Sequence, residues 1–100
     1  MSKRTLRFST EARWQYREIL QRVARKWGQA SALKLDSKFD AAAKQLIDFP
    51  ETAQVSDTHS DMRRCVVTPQ TSFLYHVTNS EIVITAVFDN RQNPTALLPD

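Results

Sequence analysis

The sequence is poor in the residues that loosen, cross-link or anchor a chain. One glycine and four prolines in 100 residues leave no flexible linker between two domains. With a single cysteine, Cys65, no internal disulfide can form, which suits a reducing compartment, and the cytoplasm is the expected location. No apolar run approaches the roughly 18 residues needed to span a bilayer. Residues 1–7 carry charge with no apolar stretch behind them, so no secretory signal is expected. Internal repeats and low-complexity segments are missing too. What remains is one domain over residues 1–100. Its 41% hydrophobic and 25% charged residues exclude a disordered chain.

Charge is unevenly spread. Residues 1–38 hold ten Lys/Arg against three Asp/Glu, residues 39–62 one against five, and residues 63–100 three against three. The basic part therefore falls on the first elements of the fold. Such a face meets nucleic acid or an acidic protein, or is simply solvated.

Periodicity orders the elements. Thr5-Leu6-Arg7-Phe8 alternates as a short strand. Ser9 caps a helix, Glu11 sits in its first turn, and Ala12, Tyr16, Ile19, Leu20, Val23 and Trp27 form one stripe. Gly28 falls where a helix end favours a left-handed residue. A second helix is predicted from near Ser31 to about Asp48, with Ala32, Leu35, Phe39, Ala42 and Leu46 as its seam, widened by Ala43 and Ile47. Pro50 stops it. Residues 51–61 read as a loop.

From Met62 the period becomes two, giving strands over residues 62–68, 73–77 and 82–88, with turns at residues 69–71 and at Asn79-Ser80. Pairing Thr78 with Glu81 puts Phe73, Tyr75 and Val77 on one face with Ile82, Ile84, Ala86 and Phe88. That face is predicted to meet the helices. Leu74, His76, Val83, Thr85 and Val87 fall on the opposite face, which the chain has little left to cover. The fold class is α+β, ordered β-α-α-β-β-β, a helical hairpin on a largely antiparallel sheet.

That order resembles the RelE/ParE toxin superfamily, and four stretches strengthen the likeness. Ser9-Thr10-Glu11-Ala12 resembles the Ser-Pro-Glu-Ala opening of the family's first helix, with threonine for proline. Leu46 to Pro50 resembles the Leu-x-x-x-Pro that closes the second. Arg64-Cys65-Val66-Val67 with Phe73 to Val77 resembles its arginine-bearing hairpin. Residues 87–94 resemble its terminal strand and arginine-bearing exit. The resemblance covers about residues 5–95. It implies a growth-inhibiting toxin held by a cognate antitoxin as a hetero-oligomer, without a cofactor. The target it implies is either DNA gyrase or the ribosome with its mRNA.

RNA cleavage by 2′-hydroxyl attack needs a base, an acid and cations on the phosphate. RelE-like nucleases resemble one another in drawing these from lysines and arginines of the sheet and often a tyrosine after the last strand. Here the last lysine is Lys44 and no tyrosine follows Phe88. A nuclease would have to rely on His76, Arg64 and Arg91. The sheet-half cations Arg63, Arg64 and Arg91 are the candidates for target binding. Arg63 and Arg64 must point to opposite faces, and the one on the core side needs a carboxylate or carbonyl partner. Arg91, next to Asp89, is equally placed to pair with it. His59, His76 and Cys65 lack metal-ligand spacing, so no metal site is expected. Trp14, opposite the first helix's buried stripe among Arg17 and Arg22, suits a protein interface. With Leu74 and Val83 on the uncovered sheet face, these are the residues expected to meet an antitoxin. A family member that serves only as a non-toxic complex partner is the third possibility.

Overall fold

Ser9 turns the chain from strand into helix. Its Oγ accepts a hydrogen bond from the Ala12 N–H at 3.0 Å, satisfying one orphan donor of the first turn. Glu11 adds negative charge there. The computed structural model describes residues 3–57 and 61–90. In chain order the elements are β1 (Thr5–Phe8), α1 (Thr10–Trp27), α2 (Gln29–Asp48), β2 (Gln54–Val55), β3 (Arg63–Thr68), β4 (Thr71–Val77) and β5 (Glu81–Asp89). The strands form one sheet in the order β1-β5-β4-β3-β2, with β1 parallel to β5 and all other pairs antiparallel. Both helices lie on one face of it, α1 over β5 and α2 toward β3.

The α+β hairpin-on-sheet architecture is the expected one, with three local corrections. The helices are joined by Gly28 alone, at φ +97°, so α2 starts at Gln29 rather than Ser31. The Gly28 N–H closes α1 on the Ala24 carbonyl at 2.9 Å. The segment read as a loop contains β2, a two-residue strand that pairs Gln54 with Arg64 and Val55 with Arg63. Trp27, assigned to the buried stripe of α1, is 51% exposed because it lies in the helix's last turn, beyond the core that buries Ala12 and Ile19.

A fourth correction changes which side chains face the helices. Tyr75 pairs with Ile84, but Leu74 pairs with Ala86, so Thr85 is an extra residue in β5. A β-bulge of this kind reverses the alternation beyond it. Ile82 and Ile84 face the helices as predicted, whereas Val87 replaces Ala86 and Phe88 on that side and joins the core opposite Phe73. Ala86 and Phe88 turn to the far face beside Leu74 and Ser72.

The core is an aromatic chain between the layers. Tyr16 stacks on Phe39 at 4.1 Å, Phe39 meets Phe73 at 4.8 Å, and Phe73 meets Tyr75 at 5.9 Å between ring centroids. Leu35, Ala43 and Leu46 of α2 complete it from above. The far face is not the uncovered apolar surface expected: Leu74 is 2% and Val83 3% exposed. Met62 contributes to the cover, its Sδ lying 3.5 Å from Thr85 Oγ1 across the strand between them.

Candidate functional site

Strand parity divides the two adjacent arginines. Arg63 pairs with Tyr75 and turns to the helix side, where its guanidinium donates to the Ala53 carbonyl at 2.7 Å and the Glu51 carbonyl at 3.3 Å. It holds the chain that leaves α2, which answers the need of a core-side guanidinium for carbonyl partners. Arg64 pairs with Leu74 and turns to the far face. The two target-binding candidates thus lie on opposite faces, as their adjacency in the strand requires.

Arg64 is held from two sides. Its Nη2 donates to Asn90 Oδ1 at 2.9 Å, and its guanidinium carbon lies 5.3 Å from the Phe88 ring centroid. Asn90 is fixed in turn by donating to Ser72 Oγ at 2.9 Å and the Pro69 carbonyl at 3.2 Å. Arg64 Nε is buried with no hydrogen-bond partner among the described residues. Beside the guanidinium is a pocket of about 160 Å³ walled by Gln54, Val55, Asp57, Val66 and Leu74. The Asn90 and Phe88 contacts had no clear signal in the sequence, because the bulge decides which face each residue joins.

His76 shares the far face with Arg64 and pairs with Val83. It is half-buried, makes no hydrogen bond among the described residues, and lines a polar pocket of about 270 Å³ with Arg4, Glu51 and Asp61. Cys65 faces the helices, so Cys65 and His76 lie on opposite sides of the sheet. Burial pushes the Cys65 thiol up. Among the described residues no cluster of His, Cys, Asp or Glu has the makings of a metal site. His59 and Arg91 lie outside the described residues.

Both tyrosines are committed to the helix side. Tyr75 donates to the Pro50 carbonyl at 2.7 Å, and burial pushes its hydroxyl up to about 12. Tyr16 donates to Asp36 at 2.6 Å, and burial together with that carboxylate raises it far above the usual tyrosine range. Neither can exchange a proton on the far face near neutral pH.

A second feature runs along α1. Trp14 is 62% exposed and borders a groove of about 220 Å³ with Gln15, Glu18 and Arg22 on one side and residues 86–89 on the other. β1 pairs with residues 81–84 of β5, so beyond Ile84 that strand edge meets α1 instead of a strand among the described residues. Gln15 Oε1 accepts the Val87 N–H at 2.9 Å, and Arg22 pairs with the buried Asp89 at 3.4 Å. Arg17 is exposed on the same helix. The structure brings Trp14 and Arg22 to one groove. It leaves Leu74 and Val83 buried on the far face, where Leu74 lines the pocket beside Arg64.

A basic helical hairpin on a five-stranded mixed sheet, with an arginine fixed on the far face, defines a RelE/ParE-like toxin fold. Residues 6–94 match the ParE toxin of type II toxin–antitoxin system, parDE, and the chain belongs to that family. Among solved structures it is similar to a chain of the chromosomal ParDE toxin–antitoxin system from P. aeruginosa. The TM-score is 0.74 and the identity 18%, covering 87% of this chain and 96% of that one. It is also similar to YafQ from E. coli strain BL21(DE3), with TM-score 0.65 and 13% identity over 97% and 100% of the two chains. A chain of the E. coli DinJ–YafQ toxin–antitoxin complex matches with the same score and identity over 98% and 100%. A search of curated proteins finds no match. No described helix is long and apolar enough to cross a membrane.

Proposed function

We propose that this chain inhibits growth by binding a protein target, DNA gyrase, and that a cognate antitoxin neutralises it. The carrying observation is the far face itself. It presents Arg64 anchored by Asn90 and Phe88, with no lysine or tyrosine beside it among the described residues. A fixed arginine without a proton-transfer set suits recognition better than bond cleavage. The exposed Trp14 above the α1 groove supports a protein partner, as aromatic and arginine anchors do at interfaces.

Induced alone, the protein should arrest growth, and co-expression of the antitoxin from the adjoining gene should restore it. In parallel assays, purified protein should block gyrase supercoiling and leave cell-free translation running. Inhibition of translation alone would reject the gyrase reading. A ribosome-dependent nuclease remains the second reading, because His76 and Arg64 share a face. RNA 5′-end sequencing separates the two. Codon-phased cuts that vanish in His76→Gln, a change costing a general base about 10²–10⁴-fold in rate, would establish the nuclease.

A further inference from the structure

A further groove belongs to neither feature above. It lies at the closed end of the helical hairpin, between α1, α2 and the β3–β4 turn, and encloses about 370 Å³. Val23, Leu35 and Trp27 give it apolar lining, and Ser31, Thr68 and Thr71 line it too. Lys34 and Lys38, one helical turn apart on α2, line it as well. Lys3 and Lys44 are paired with Asp48 and Asp40, but among the described residues Lys34 and Lys38 make no ion pair. Lys26 lies 5.2 Å from the Trp27 ring centroid and adds to the positive charge.

We propose that this groove takes an acidic segment of the antitoxin, with an apolar side chain on Val23 and Leu35 and carboxylates on Lys34 and Lys38. The inference rests on the reading of the chain as an antitoxin-bound toxin. An apolar lining with one aromatic residue fits a peptide side chain better than a run of stacked bases, which needs several aromatic platforms. A second copy of this basic chain, docked symmetrically, would set lysine against lysine. Continuity selects the antitoxin. Ile19 and Arg22 border the Trp14 groove and Val23 this one, while Asp89 of the first groove pairs across the sheet with Thr71 of the second. One partner running along α1 covers both. Neither groove alone approaches the roughly 800 Å² per partner of a stable interface.

The test is titration of the full-length toxin with its cognate antitoxin at low and high salt. The double variant Lys34→Glu/Lys38→Glu should bind about 100-fold more weakly, since like charges then meet across the interface, and should lose most of the salt dependence. Trp27→Ala should cost about tenfold. Lys44→Glu, on the same helix outside the groove, should stay within about twofold. Circular dichroism checks each fold, and if the double reversal misfolds, Lys34→Ala/Lys38→Ala replaces it with the same direction expected. Wild-type affinity in the folded lysine variants overturns the proposal. So does loss of growth arrest with antitoxin affinity intact, which would assign the groove to the target. Oligonucleotide binding lost on lysine reversal, with antitoxin binding unchanged, would assign it to nucleic acid and overturn it too. Wild-type toxin that ignores the antitoxin altogether would instead reject the toxin–antitoxin reading on which the proposal stands.

Discussion

Arg64 and the two tyrosines carry the residue-scale consequences. Arg64→Ala removes the guanidinium held by Asn90 and Phe88, and toxicity should fall while the fold persists. Growth curves at matched expression, with a urea melt alongside, check both halves of that expectation. The tyrosines dictate alkaline behaviour. Tyr75 has its folded pKa raised to about 12 from an ordinary 10, so the folded state keeps a proton that the unfolded chain loses first. Stability is therefore full below pH 10 and declines as pH rises toward 12. Tyr16 is shifted in the same direction by burial and Asp36. Urea midpoints across that window should drop for the wild type and drop less for Tyr75→Phe. Arg64 itself was legible as a candidate, through the resemblance of its strand. Its anchors were not, since Phe88 and Asn90 approach it only through tertiary packing.

At the scale of elements, the helices were easier to read than the sheet. Ser9, Gly28 and Pro50 punctuate the hairpin, and the apolar stripes have a period that only a helix satisfies. β5 offers no such guide. Residues 82–88 are apolar at nearly every position, so both faces look alike and an extra residue leaves no trace in the pattern. No glycine marks the bulge at Thr85. The consequence can be measured with paired substitutions. Val87→Asp should cost about 3 kcal/mol or more in urea melts, because it places a carboxylate in the core, and Ala86→Asp should cost clearly less. The reverse order would place the bulge elsewhere. Leu46→Ala and Ile84→Ala should each cost about 2–5 kcal/mol, and Thr85→Ala far less.

At the scale of the whole molecule, one thin layer of helices and one sheet must both hold the fold and offer partner surfaces. Antitoxin binding should therefore raise thermal stability strongly. At a thousandfold excess over Kd the gain is about 4 kcal/mol, which for a domain of this size is roughly 15–30 °C in Tm. Differential scanning fluorimetry with and without antitoxin measures it, and an unchanged Tm at saturating antitoxin would mean that the partner does not engage the folded toxin.

The single-residue junction at Gly28 has a consequence for how such a molecule can change length. Two helices that meet at one residue share a fixed phase, because nothing between them can absorb an added twist. Inserting one residue there would turn α2 by about 100° about its axis and swing Phe39 and Leu46 off the sheet. An alanine at the same place would meet no neighbour within 4 Å, yet would still have to occupy φ +97°. The hairpin is therefore the part that should be left at its present length.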